Sequence, residues 1–514
     1  MKKKIKKNSF FRSTFIVSGL TLVSRFTGLF RDILISNVLG ISFVADAFFM
    51  ALRLPNVFRR ITAEGAFSSA FIPIFLKFFS GSKNKAITFA QEVLYFLIIS
   101  ITAITCLLQV LMPLVMYLMA YGFSDDPIKF NLTIIYAQIT APYILFISLS
   151  SLGVGILNSQ GKYSVTSLSP IILNIFLIVA LLLPIKDIIL TGYILAFAVT
   201  ISGIFQFTLI IFALKRSGYS LKLKKPKNYN KINKFLDRAK PQIGNGFALQ
   251  VNILISGLIA SFEQGGISTL YYAERLYQLP LALFGLSIGT VLLPTLSSLD
   301  PRKDLEEINI VIKKSLRFAL IMSIPSAIGL SMVSIPLIEA IYQHGLFNSL
   351  NTLIVSKTLI AFSFGLPAFV LIKIYLPIFY SLGDTKSPFR YSLVSIIINI
   401  ALALLLFPKY GVIGLAISTS LSSWVNLFLL INKLKDSTIS IFLMKLDIDL
   451  LKIIIASFLM SLIIYFCSIL MIDLSGILFL SILILTGVIS YFLILFLLGV
   501  LSKNDIPSII RNII

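Results

Sequence analysis

Arginine is the side chain whose placement in this chain demands a chemical explanation. Arg25 and Arg31 lie in the apolar run "LTLVSRFTGLFRDILISNVLG"; Arg53, Arg59 and Arg60 lie in "ADAFFMALRLPNVFRRITAEGAFSSAFIPIF"; Arg275 lies in "YYAERLYQLP". A guanidinium at the centre of a membrane helix costs about 2.5–3.5 kcal/mol on insertion scales. Arg25, Arg53 and Arg275 together would cost on the order of 8–10 kcal/mol in lipid, comparable with the stability of a whole domain. They are therefore expected to face a hydrated cavity. At helical pitch Asp46, Arg53 and Arg60 recur every seven residues and form one stripe beside Asn56; Ser24 shares a face with Arg31, and Ser268 with Arg275. Internal neutralisation, of Arg53 by Asp46, Arg60 by Glu64 or Arg275 by Glu274, is the plain alternative. Six arginines against the four acids Asp32, Asp46, Glu64 and Glu274 leave positive charge over. A cationic surplus in a membrane cavity calls for an anionic guest, and the planar guanidinium fork suits a diphosphate better than a point charge does.

The elements that must carry these residues follow from composition. Of 514 residues 57% are hydrophobic and 13% charged, with mean hydropathy +0.97, so the chain reads as an all-α integral membrane protein. Fourteen apolar segments can span a bilayer: 13–37, 42–62, 86–120, 129–157, 164–184, 189–214, 241–262, 267–297, 315–342, 352–382, 389–408, 411–431, 453–472 and 476–500. The net charge of +23 would suggest nucleic acid in a soluble protein, but its distribution says otherwise. With both termini placed in the cytoplasm, 33 of the 44 Lys and Arg fall in cytoplasmic segments and only Lys129, Lys186 and Lys409 on the opposite side. That asymmetry orients the chain and excludes a nucleic-acid partner. "MKKKIKK" precedes a run with no small-residue cleavage site, so an uncleaved first span is expected. Cys106 and Cys467 fall in apolar spans at no ligand spacing and are expected to be packing residues; His344 stands alone, so no metal site is expected.

The chain also repeats itself. "APYILFISLSSLGVGILNSQGKYSVTSLSPIILNI" at 141–175 aligns without a gap to "LPAFVLIKIYLPIFYSLGDTKSPFRYSLVSIIINI" at 366–400, matching Pro142 to Pro367 and Asn174 to Asn399. The offset spans six helices, an even number, so the halves form a parallel repeat. The expected organisation is a lobe over 1–214, a basic cytoplasmic linker over 215–240, a second lobe over 241–431, and two extra helices with a cytoplasmic tail over 432–514. The linker is expected to lie on anionic inner-leaflet lipids, each basic side chain adding roughly 1 kcal/mol of attraction.

"SRFTGLFRD", "ADAFFMALRLPNVFRRITAEGAFSSAFIPIF" and "YYAERLYQLPLALFGLSIGTVLLPTLS" resemble the MurJ (MviN) family of lipid II flippases, in the multidrug/oligosaccharidyl-lipid/polysaccharide exporter superfamily. The resemblance covers essentially the whole chain. It implies two six-helix lobes around a cationic cavity, with the last two helices forming a groove for a polyprenyl tail. It implies that Arg25, Arg31 and Arg275 bind substrate and that Arg53, Asn56, Arg59 and Asp46 are functional cavity positions, with Ser24 and Ser268 lining the same site. The implied substrate is undecaprenyl-diphosphate-linked disaccharide-pentapeptide, carried by a monomer in the bacterial cytoplasmic membrane, without cofactor. Ser256 and Ala403 stand where carboxylates of a family-type sodium site would be expected, which favours the membrane potential as driving force. A multidrug-type antiporter or an O-antigen-type flippase of the same superfamily is the rival, and a membrane enzyme comes third, for want of a nucleophile–base pair or phosphate loop.

Overall fold

The computed structural model describes residues 7–61, 67–226, 229–300, 303–435, 448–471, 474 and 476–501, with side chains from residue 19 onward except 67–69, 241–249 and 435. Glu64, expected as a partner for Arg60, lies outside the described residues. By their contacts the described residues form two compact units, 1–268 and 269–514. The repeat boundary near 241 and this contact boundary are different quantities, since one records sequence correspondence and the other packing.

In the first unit α1 spans Lys7–Leu39, α2 Phe43–Ile61, α3 Phe67–Gly81, α4 Lys83–Met119, α5 Pro127–Thr140, α6 Pro142–Ser159, α7 Ser164–Leu181, α8 Ile188–Arg216 and α9 Asn230–Ala260. Helix α10, Gly266–Pro280, begins at its end. The second unit continues with a π-helical turn over Leu281–Leu286 and α11 at Ser287–Ser297. Then come α12 at Leu305–Met332, α13 at Ser334–Tyr342, α14 at Ser349–Ser381, α15 at Lys386–Lys435, α16 at Ile448–Leu470 and α17 at Gly476–Leu497. The described residues form helices and connecting turns, with no strand among them, and ten helical segments are long and apolar enough to cross a membrane. This is an all-α integral membrane protein. Among the described residues each expected span coincides with a helix or with consecutive helical elements, as where α5 and α6 meet at Pro142. That proline can continue no hydrogen-bond ladder from α5, yet it suits the first turn of α6.

Two features of the first unit differ from the plain reading of its loops. Residues between the second and third spans were expected as a cytoplasmic connection, yet they form α3, too short at 15 residues to span a bilayer. Its Phe71 and Phe75 are fully buried, and Phe71 stacks on Phe89 of α4 with centroids 5.7 Å apart. The connection after α8 is likewise tied down. Tyr219 is buried beside Phe75, with the Lys83 ammonium 5.0 Å from its ring centroid. From residue 230 the chain is already helical, burying Ile232, Phe235 and Ala239 on one face at helical spacing while Lys234, Arg238 and Lys240 face out. Cys106 lies on an exposed face of α4 instead of a packed one, as a membrane helix surrounded by acyl chains permits.

In the second unit Leu292, Leu296, Ile312, Leu366, Ile374, Tyr375, Phe379, Leu427 and Leu430 close a common core among α11, α12, α14 and α15. The approach to α15 is capped by Asp384, whose carboxylate accepts from the backbone N–H of Lys386 and Ser387. The Ser387 hydroxyl, first, and these N–H groups hold that carboxyl below the usual carboxylate range. The cap is therefore charged at neutral pH and is lost only as acid brings the pH through that lowered value.

Helix α15 is two spans joined by a reversal. Gly411 has φ 56° and ψ −139°, a conformation open in practice only to glycine. A Cβ at Gly414 would come within 2.8 Å of the Leu406 carbonyl, whereas eight residues of straight helix would separate them by about 12 Å. The chain thus folds back sharply just after Pro408, resolving the expected spans 389–408 and 411–431 as an antiparallel pair. Gly411→Ala is expected to lower stability by about 1–3 kcal/mol, read as a fall in the unfolding midpoint of purified protein in detergent. An unchanged midpoint would show that the reversal tolerates a side chain.

Candidate functional site

Asp46 opens α2 and is fully buried. Its Oδ1 accepts from the Ser268 backbone N–H at 2.9 Å and the Ser268 hydroxyl at 2.7 Å; its Oδ2 accepts from the Gly265 N–H at 2.8 Å and Lys129 Nζ at 2.7 Å. Gly265 holds φ +77°, which turns its N–H toward the carboxylate in the approach to α10. The carboxylate therefore ties α2 to α5 and to the first turn of α10. Helix N-termini favour anions there, through both their free N–H groups and their dipole. Lys129 is itself only 5% exposed, its ammonium 3.8 Å from the Phe123 ring centroid. It was counted in the sequence as a charge of an outer loop. Asp126 explains the difference, because its carboxylate accepts from the N–H groups of Ile128 and Lys129 and Pro127 follows it, so Lys129 already stands on the first turn of α5.

Arg53 and Arg60 do share the face with Asp46 that their spacing implied, and that face lies along α9. Arg53 Nη1 donates to the Ile253 carbonyl at 2.7 Å, and Arg60 Nη1 to Gln250 Oε1 at 3.3 Å. Gly257 makes the approach possible, since a Cβ there would overlap the Arg53 guanidinium. Asp46 is engaged by Lys129 and not by Arg53, so that proposed pairing is replaced. Asn56 and Arg59 are half-buried one turn further along α2.

Helix α1 presents its two arginines differently. Arg31 is buried, its Nε and Nη2 donate to Asp32 Oδ1 at 3.0 and 2.6 Å, and its Nη1 donates to Asn174 Oδ1 of α7 at 2.8 Å. The Asn174 amide nitrogen in turn donates to the Ser24 carbonyl at 3.1 Å and Thr27 Oγ1 at 3.2 Å. Asn174 drew notice in the sequence only as a repeat marker; its place in an apolar helix, where an amide must find partners, was the available signal. Arg25 is exposed and, among the described residues, makes no hydrogen bond or ion pair, while Ser24 beside it is half-buried. In the second unit Arg275 is half-buried, with Nη2 3.1 Å from the Tyr271 hydroxyl and its guanidinium 4.8 Å from that ring's centroid. Stacking on an aromatic face fixes the plane of the guanidinium fork, the group that suits an oxyanion. The structure thus brings Asp46 and Ser268 together, sets Arg53 and Arg60 along α9, and clamps Arg31 to α7.

This architecture is a fold found among solved membrane transporters. An inward-facing multidrug resistance MATE family transporter of the MOP superfamily shares it, with TM-score 0.67 over 82% of this chain and 99% of that one; at 14% identity the likeness concerns the fold alone. A solved lipid II flippase MurJ in an inward closed conformation matches with TM-score 0.79 and 30% identity, over 93% of this chain and 98% of that one. The family profile described as lipid II flippase MurJ matches residues 35–486. Relatives named "Probable lipid II flippase MurJ" are 37% identical: that of Rhizobium tropici over 415 residues, 80% of this chain and 78% of that protein, and that of Rickettsia prowazekii (strain Madrid E) over 420 residues, 82% and 83% respectively. The chain belongs to the MurJ family of lipid II flippases.

Lys129→Met would strand the buried Asp46 carboxylate without its cation, and breaking a buried pair in this way costs about 3–5 kcal/mol. Thermal unfolding in detergent is expected to show that loss, with part of it recovered in Lys129→Met/Asp46→Asn. Equal stability of Lys129→Met and the parent would remove the ion pair from the account.

Proposed function

We propose that this chain is a lipid II flippase, moving undecaprenyl-diphosphate-linked disaccharide-pentapeptide from the inner to the outer leaflet of the bacterial cytoplasmic membrane for peptidoglycan synthesis. It is a transporter and makes no covalent change in its substrate. Family membership over most of the chain's length carries the activity. The charge arrangement supports the substrate's chemistry: Asp32 and Asp46, the acids of α1 and α2, are engaged by Arg31 and Lys129, so neither neutralises exposed Arg25. A multidrug antiporter taking cations would want the opposite surplus.

In this reading Arg25, Arg31 and Arg275 are each diphosphate-binding arginines, Arg31 oriented by Asp32 and Asn174. Arg53, Asn56, Arg59, Asp46, Ser24 and Ser268 shape the surrounding site, Asp46 and Ser268 by fixing helices to one another. The isoprenoid stays in lipid while the site opens alternately to each leaflet. The protein works as a monomer with both termini in the cytoplasm, and its basic connection after α8 rests on anionic inner-leaflet lipids. Arg25→Ala and Arg275→Ala proteins, inserted at normal levels in cells depleted of the parent, are expected to leave lipid II inaccessible at the outer surface. Full restoration of access by both variants would take the arginines out of the site.

The driving force follows from charge. Outward movement of each negative charge down an inside-negative potential yields about 2.3 kcal/mol per 100 mV. With Ser256 and Ala403 in place of carboxylates, potential-driven transfer is the expected mode. Collapsing the potential should halt the appearance of lipid II outside; a halt on sodium removal at constant potential would instead assign the coupling to sodium.

A further inference from the structure

At the ends of α6, α7 and α8 the first unit carries a groove of about 330 Å³ lined by Leu157, Lys162, Val165, Ala213, Arg216 and Ser217. Its floor is apolar and its rim is cationic. Lys162 Nζ is held 2.9 Å from Ser217 Oγ, which itself bonds the Ala213 carbonyl, so the ammonium is kept at the mouth instead of sweeping through water. Neither Lys162 nor Arg216 makes an ion pair among the described residues. The only acid between residues 141 and 226 is Asp187, at the opposite end of α8 and about 40 Å away along the helix. Exposed Phe212 and Tyr163 border the same end and continue the apolar surface toward the bilayer. Two cations that make no ion pair among the described residues, above an apolar trough at the ends of three membrane helices, match a phosphodiester with acyl chains attached.

We infer that this groove binds the headgroup of an anionic glycerophospholipid, Lys162 and Arg216 taking the phosphate while the tails lie along α8. The inference rests on the inner-leaflet placement of this end proposed above, and it gives that diffuse attraction a defined seat. A free phosphate ion offers the same oxyanion without the tails, so the two sources can be separated.

Full-length protein, delipidated in mild detergent with no lipid II present, is offered phosphatidylglycerol or phosphatidylcholine, and retained lipid is counted by native mass spectrometry. The parent is expected to retain phosphatidylglycerol in preference to phosphatidylcholine, undisturbed by millimolar inorganic phosphate. Lys162→Gln/Arg216→Gln is expected to weaken retention about tenfold or more, given the contribution of each basic side chain near an anionic headgroup. Lys186→Gln/Lys409→Gln, which removes as much charge from exposed positions outside both the groove and the basic connection, is expected to leave it unchanged. Ala213→Leu fills the trough with both cations in place and is expected to lose phosphatidylglycerol as well. Equal loss from Lys186→Gln/Lys409→Gln, undiminished retention by Lys162→Gln/Arg216→Gln, or displacement by inorganic phosphate would overturn the assignment. Since the readout needs no transport, it is independent of whether the chain flips lipid II.

Discussion

Four donors converge on the two oxygens of Asp46, in a place that water does not reach. In hydrocarbon or dry protein a lone carboxylate would be several kcal/mol out of balance. Only Lys129, together with the opening turn of α10, restores that balance. The ends of α2, α5 and α10 are thereby obliged to meet, whatever the apolar packing along their lengths allows. Apolar contact between membrane helices is poorly directional, because lipid tails compete with side chains on nearly equal terms. A saturated ionic node supplies the direction that such contact lacks.

The same constraint sorts the arginines into different uses. Arg31 is held between Asp32 and Asn174, and α1 is thereby fastened to α7 at Ser24, Thr27 and Arg31. Arg53 lies against α9 in space left by Gly257. Arg25, six residues from Arg31 on the same helix, carries no such obligation among the described residues. One helix thus presents a fixed guanidinium and an available one, a useful combination where an anion must be caught and later let go.

Much of this was legible in the residues. The all-helical membrane architecture follows from hydropathy alone, since a bilayer admits few other solutions for long apolar runs. The stripe of Asp46, Arg53 and Arg60 was visible from its period of seven, because helical pitch fixes which side chains share a face. What occupied the facing position was not visible. Lys129 looked like a loop charge because its significance depends on a fold that brings α5 to the start of α2. Asn174 is one amide in an apolar run, and which backbone it grips depends on the helix laid beside it. Helix α3 escaped notice because it is apolar enough to be buried but too short to span. Identity at a position can be read locally; partnership across a hundred residues is a product of packing.

The reversal at Gly411 bears on how the protein is made. Two hydrophobic spans with almost no loop between them present nothing bulky for the insertion machinery to carry across, apart from Lys409 near the tip. A closely turned pair of this kind can insert as a single hairpin, and the basic residues at its base, Lys386 and Arg390 on one limb and Lys433 on the other, are the ones on which a positive-inside bias acts. A single glycine torsion thus sets how little chain such a hairpin has to carry across.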